Sequence, residues 1–363
     1  MPWRGAWVPA ASTGGARRLL VFRGVRLSSK YTMSDPTPPI SYTFEVPARP
    51  PVYIVAPRPR RPYWLHILLL LVTLFTTLTV GARLQYNFLH NLPAFSDDSV
   101  VLPLFHLRWL LQHPANLVLG IPFSMTLMGI LLAHEFGHFV VAKRNGVYAT
   151  LPYFIPAPTL IGTFGAVIRI KSPIRSRQAL FDIGIAGPIA GFLVALPVLF
   201  WGLALSKPMP PTAADSALSL GYPLVFGLVH RALAPFTPQA VSLGSLYLHP
   251  VGIAAWVGMF ATALNLLPGG QLDGGHIIYA VAPRAHKWVT RACILALIPL
   301  GIFYWPGWMV WALILGFTGL RHPNVPQWPP LDTNRRWLVL LAVLLLALTF
   351  ALAPIRGGSL FGS

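Results

Sequence analysis

Leu131-Leu132-Ala133-His134-Glu135-Phe136-Gly137-His138-Phe139-Val140-Val141 lies within an apolar stretch at about 117–142. A carboxylate and two imidazoles in an apolar helix cost several kcal/mol unless they are paired, buried in protein or bound to an ion. His134 and His138 stand at i and i+4, one helical turn apart on the same face. Two ring nitrogens so placed can meet one tetrahedral metal ion, with Glu135 projecting beside them. Histidines at this spacing are also common on soluble helices; the apolar setting, where polar residues are selected against, argues against chance here.

The rest of the composition agrees with that setting. Of 363 residues, 55 % are hydrophobic and only 10 % charged, against about a quarter charged in an ordinary soluble domain. Such a chain hides its surface in a bilayer, and disorder of the whole is excluded. The balance of 27 basic to 9 acidic residues gives a net charge of +18. In a soluble protein that points to nucleic acid, but here the basic residues are scattered between apolar runs, so no nucleic-acid partner is expected. Cys293 is the sole cysteine, which rules out an internal disulfide or a thiolate zinc cluster.

Residues 1–63 are rich in Pro and Arg and are expected to be disordered. Residues 1–32 read either as an organelle targeting segment or as an untranslated stretch before a start at Met33. Trp64 to Ala82 is then 19 residues without a formal charge, enough to cross a hydrocarbon core of roughly 30 Å. Further spans are expected at about 117–142, 179–204, 250–267 and 337–353. Ala292 to Leu320 is 29 uncharged residues interrupted by Tyr304-Trp305-Pro306-Gly307-Trp308. Two helices joined at Pro306-Gly307 are preferred over one, with Trp305, Trp308 and Trp311 as interfacial aromatics.

Charge orients this set. Lys143, Arg144, Arg169, Lys171, Arg175 and Arg177 share one connection with no acid, and Arg284, Lys287, Arg291, Arg321, Arg335 and Arg336 follow on the same side. The opposite segments hold Arg83, Arg108, Lys207 and Arg231 against Asp97, Asp98 and Asp215. The positive-inside rule then puts the N-terminus in the cytoplasm. The fold class expected is an all-α polytopic membrane protein with six to seven spans and a short re-entrant or β-like segment beside the site. A bacterial inner membrane is the expected location, ahead of an organelle membrane.

A catalytic zinc site needs three protein ligands and an open position. Few side chains remain for the third. Asp273 lies in Asn265-Leu266-Leu267-Pro268-Gly269-Gly270-Gln271-Leu272-Asp273-Gly274-Gly275-His276, where Pro and Gly break the helix after a span. Broken backbone at membrane depth is tolerated only where it lines a cavity or is buried in protein. Asp273 on that break can reach a metal, although Asp-Gly is also an ordinary turn pair and His276 an ordinary helix-start residue. Of the other acids, Asp182 reads as a helix-start or loop-pairing residue. The stretch 145–176 carries Pro152, Pro156 and Pro158, and Ala166 to Ile170 alternates like a strand. It reads either as an edge that pairs with an unwound substrate or as a loop covering the site.

His134-Glu135-Phe136-Gly137-His138, the H-E-x-x-H pattern of metalloproteases, together with Asn265-x-x-Pro268-x-x-x-x-Asp273-Gly274, resembles the site-2 protease family of intramembrane zinc metalloproteases, peptidase family M50. Gly162-Thr163-Phe164-Gly165-Ala166-Val167-Ile168 and Ala186-Gly187-Pro188-Ile189-Ala190-Gly191 resemble the family's connecting segments. The resemblance implies one Zn2+ per chain held by His134, His138 and Asp273, with Glu135 as general base. It also implies Asn265, Gly162 and Gly165 as substrate-binding positions, and a single-span membrane protein as the substrate partner within the lipid bilayer. The chain divides accordingly into the tail 1–63, a first span and outer loop 64–116, a catalytic core 117–280, and C-terminal spans 281–363. The chain is expected to depart from several members of that family in carrying neither a PDZ domain between the motifs nor a CBS pair after the last spans, so substrate selection by such modules is not expected. An inactive scaffold with this fold and a metal-ion transporter are the rival readings.

Overall fold

The computed structural model describes residues 63–95, 105–214, 218–236, 241–318, 325–326 and 329–357. The tail expected to be disordered, with its alternative start sites, lies outside these residues apart from Tyr63, as do Asp35, Glu45, Asp97, Asp98 and Asp215. The described chain is mostly helical: α1 Trp64–Leu89, α2 Phe105–Gln112, α3 Ile121–Arg144, α4 Arg177–Ala204, α5 Leu224–Leu233, α6 Pro250–Asn265, α7 Asp273–Val281, α8 Pro283–Phe303, α9 Gly307–Thr318 and α10 Thr333–Thr349. Between α3 and α4 lies an antiparallel hairpin of β1 Tyr153–Pro156 and β2 Thr163–Val167. The strand expected near Ala166–Ile170 therefore exists, shifted toward the N-terminus and given a partner.

Helix ends follow local chemistry. In α3, Lys143 and Arg144 stand in the last turn, where they complement the negative end of the helix. Gly146 (φ 67°) then turns the chain in the left-handed region, with Gly146 N–H donating to Lys143 O and Val147 N–H to Ala142 O. At the start of α4 the Ser176 hydroxyl accepts the Ala179 N–H.

The centre of the bundle is α4, which packs against α3, α6 and α7. Phe123, Leu127 and Ile130 of α3, Leu180, Phe181 and Leu199 of α4, and Trp256 and Met259 of α6 are essentially inaccessible. Large apolar side chains also face outward, among them Leu71 and Phe75 on α1, Leu193 and Trp201 on α4, Leu295 and Ile302 on α8, and Leu340 and Val343 on α10. An outer face so apolar is suited to lipid and not to water.

Among the described residues, four helical segments are long and apolar enough to cross a membrane: Trp64–Leu89, Pro114–Arg144, Arg177–Ala204 and Pro283–Phe303. The expected count of six to seven is not reached on this criterion. The span expected at 250–267 is α6, of only 16 residues, cut short by the break at Pro268. It is buried along almost its whole length, so its neighbours shield it and it need not match a bilayer by itself. The stretch 292–320 does divide, with α8 ending at Phe303 and α9 starting at Gly307. The reading of its tryptophans as interfacial needs correction for Trp308, which is fully buried. It stacks on Phe350 with ring centroids 5.1 Å apart and donates to Leu352 O.

α10 is tied to α4 by charge. Arg335 Nε and Nη2 donate to the two oxygens of Asp182 at 2.7 and 2.6 Å, and Nη1 reaches Asp332, whose carboxylate caps α10. Asp182 thus has the pairing role expected of it, with a helix-borne arginine. Arg335→Ala is expected to lower stability by about 1 kcal/mol, the upper range for a solvent-accessible bidentate pair. Thermal unfolding in detergent checks this.

Candidate metal centre

The two motifs, 139 positions apart in sequence, meet in one place. His134 and His138 point from the second half of α3 toward Asp273, the first residue of α7. His134 Nε2 and His138 Nε2 each lie 3.2 Å from Asp273 Oδ2, and 3.2 Å from each other. Three atoms at mutual distances of 3.2 Å subtend 60° angles, so shared hydrogens cannot align with all three edges. Three lone pairs converging on one cation explain the triangle better. Ligand atoms bound tetrahedrally to zinc at about 2.0 Å stand about 3.3 Å apart, so two imidazole nitrogens and a carboxylate oxygen fit zinc in both type and spacing. Among the described residues, this is the group of His, Cys, Asp or Glu side chains able to hold a metal ion.

Backbone groups orient these side chains. His138 Nδ1 lies 2.7 Å from the Ile183 carbonyl of α4. A carbonyl only accepts, so Nδ1 carries the proton and the Nε2 lone pair is left to face the triangle. Glu135 Oε2 accepts the Ile168 N–H, just beyond β2, at 2.8 Å. Asn265, the last residue of α6, brings Nδ2 to 3.2 Å from His134 Nε2. Arg177, at the start of α4, holds the far end of the aspartate's helix by donating to the Ala280 and Val281 carbonyls at 2.7 and 2.9 Å.

The tight fit depends on absent side chains. A Cβ on Gly187 would collide with the His138 ring, and one on Gly191 would press on His134. Their four-residue spacing brings both onto the face of α4 that meets α3. At the second motif, a Cβ on Gly274 would strike the Leu266 and Leu267 carbonyls, so the first turn of α7 can rest directly on the broken backbone.

The triangle opens on a cavity of about 250 Å³ lined by Glu135, Ala166 to Ile168, Asn265 and Asp273, among others. His276 shares this lining one turn from Asp273, outside the ligand triangle. Of the expected substrate positions, Asn265 is in the cavity wall. Gly165 lies in β2 next to the lining residue Ala166. Gly162 instead closes the hairpin against α1, where its carbonyl accepts the Thr76 hydroxyl at 2.6 Å. The partners at Ile168 and Ile183 escaped sequence reasoning because a backbone group leaves no mark in residue identity. The Gly187/Gly191 spacing was a readable sign of a close helix contact.

A model of peptidase family M50 matches residues 122–300, which take in both motifs. The chain belongs to peptidase family M50. This M50 chain is 31 % identical over 300 residues to the probable zinc metalloprotease EGY1, chloroplastic, of Oryza sativa subsp. japonica, a match covering 79 % of the chain and 50 % of that protein. The Arabidopsis thaliana protein of the same name is 32 % identical, covering 79 % and 52 %. The probable zinc metalloprotease EGY2, chloroplastic, of Arabidopsis thaliana is 30 % identical, covering 66 % and 41 %. The M50 chain thus spans about half the length, or less, of these curated relatives. A multi-pass membrane protein agrees with its apolar helices. The bacterial inner membrane expected from sequence finds no support among relatives whose names read chloroplastic.

Gly187→Ala is expected to weaken zinc binding at least about tenfold, the usual cost of disturbing the support of a ligating histidine. Gly129→Ala, on the same helix as the histidines with open space around its Cβ, is expected to leave it unchanged. Chelator competition on the two purified proteins checks both.

Proposed function

We propose that this M50 chain is an intramembrane zinc metalloendopeptidase that hydrolyses a peptide bond of a membrane-spanning protein. The observation that carries this reading is the 3.2 Å triangle of His134, His138 and Asp273 with the Glu135 carboxylate fixed beside it over a cavity. His134, His138 and Asp273 would hold one zinc ion. When bound there, zinc supplies a Lewis acid that polarises the scissile carbonyl and makes water acidic near neutral pH.

The protein's own groups do the rest. Glu135, held through one oxygen by Ile168 N–H, takes the proton of the attacking water and passes it to the leaving amine. The Asn265 amide offers a polar contact to the substrate at the rim of the triangle. A transporter has no need of a carboxylate with its own backbone donor beside the ligands, which favours the protease reading.

The hairpin supports a substrate site. Arg169 N–H and C=O turn toward the β1 side, bonding the Thr150 hydroxyl and Thr150 N–H. Ile168 N–H points the other way, to Glu135. By strand alternation Ala166 shares the Ile168 edge, facing the cavity. An unwound substrate segment added along that edge presents its peptide bond to Glu135, as a closed helix does not. His138 lies toward the Lys143–Arg144 end of α3 and Asp273 follows the end of α6, and the basic connection to α4 starts from that end of α3. Water therefore enters from the positive-inside face.

Glu135→Gln is expected to retain zinc while cleavage of a single-span substrate by the full-length protein falls by about a hundredfold or more, the usual contribution of general base catalysis. Equal cleavage by both forms sinks the mechanism. Ala166→Pro, which removes one edge donor, is expected to lower kcat/KM for that substrate by about tenfold, the worth of one good hydrogen bond. Its zinc content should be unaltered.

A further inference from the structure

The loop Leu266–Leu272 joins Asn265 to Asp273 and leaves the helical hydrogen-bond ladder, so its peptide groups need partners that apolar surroundings do not supply. Both polar groups of Gly270 find them on one helix outside either motif. Gly270 N–H donates to Thr290 Oγ1 at 3.2 Å, and Gly270 C=O lies 3.0 Å from His286 Nε2, which must be the donor there. His286 and Thr290 stand at i and i+4 on α8, one turn apart. They are 4 % and 0 % exposed. The Thr290 hydroxyl hydrogen is committed to the His286 carbonyl at 2.9 Å, which leaves its oxygen free to accept from Gly270.

The peptide they grip is set up for this. Gly270 has φ 62°, the left-handed region that favours glycine. Its carbonyl also lies where a Cβ on Gly275 would sit, so the first turn of α7 rests on the same peptide. The Tyr279 ring of α7 stands edge-on to His286 with centroids 5.6 Å apart. Movement of Gly270 would therefore carry the start of α7, and Asp273 with it.

We propose that His286 and Thr290 are positioning residues of the metal centre: by clamping the Gly270 peptide they hold Asp273 Oδ2 at its distance from the two imidazoles. The assignment rests on the metal reading of the site. It also explains why α8 retains two buried polar side chains on the face turned to the bundle. Neither touches a ligand atom, so their effect passes through the backbone between Gly270 and Asp273.

The test uses the full-length protein in detergent, with zinc affinity by chelator competition, the visible spectrum of the Co2+-substituted form, and the thermal midpoint of the metal-free form. Thr290→Val keeps volume and loses the hydroxyl, His286→Leu loses the donor, and His286→Gln retains an N–H. Thr290→Val and His286→Leu are each expected to weaken zinc by about tenfold or more and to shift the cobalt spectrum. His286→Gln is expected to restore most of both. The metal-free midpoint of Thr290→Val should fall only by the several degrees that an orphaned buried N–H costs. Parental zinc affinity and cobalt spectrum in folded Thr290→Val overturns the proposal, and so does a fall in metal-free stability with an unchanged spectrum, which is the mark of packing alone. If the unaltered protein binds no zinc, the metal reading itself fails and this assignment with it; if it binds zinc and the variants match it, only the positioning role fails.

Discussion

Two imidazoles and a carboxylate inside an apolar bundle are tolerable only if something takes up their charge and lone pairs, and that demand organises much of the structure around them. The His134–His138–Asp273 triangle brings three atoms to 3.2 Å from one another. Left without a shared cation, such a cluster costs several kcal/mol of desolvation with poorly aligned hydrogen bonds in return. Each neighbouring element is shaped to the triangle. α4 presents glycines where side chains would strike the histidine rings, and it lends the Ile183 carbonyl to fix the His138 tautomer. α6 stops at Asn265 so that the chain can break and begin α7 on Asp273. The hairpin returns past α1 to lay Ile168 N–H on Glu135.

The distribution of acidic residues shows the same economy. Among the described residues the acids are Glu135, Asp182, Asp273 and Asp332. Two belong to the site, and the other two share Arg335 at the junction of α4 and α10. Asp182 precedes Ile183 directly, so the ion pair anchors α4 one residue from the carbonyl that orients His138. The basic side chains of the described residues, by contrast, stand outside the ligand triangle, most of them in connections or toward helix ends.

Much of this was legible in the residues. The i, i+4 histidines in an apolar stretch and the Pro/Gly break before Asp273 named the four central side chains, because metal chemistry restricts both residue type and spacing. Helix positions were also readable from uncharged runs, and the division of α8 from α9 from Pro306-Gly307. The number of long spans was not. Whether a short apolar helix such as α6 faces lipid or is wrapped by protein depends on its neighbours, which periodicity does not report. Trp308 misled for a related reason: an indole at a helix start reads as interfacial, and only packing shows it against Phe350. Ile168, Ile183 and Gly270 act through backbone atoms, for which side-chain identity carries almost no signal. The resemblance implies a substrate-binding role for Gly162, while its carbonyl accepts the Thr76 hydroxyl of α1, a contact that its motif does not announce.

The reading of the site rests on the His134–His138–Asp273 triangle holding a metal ion. Zinc-edge X-ray absorption on the purified full-length protein examines it most directly. The account predicts one zinc per chain, four-coordinate, with nitrogen and oxygen ligands at about 2.0–2.1 Å and the outer scattering of two imidazoles. Replacement of Asp273 by Ala should remove one oxygen from that shell. A protein that takes up no zinc, a sulfur ligand at about 2.3 Å, or a shell of oxygens without imidazole would contradict it.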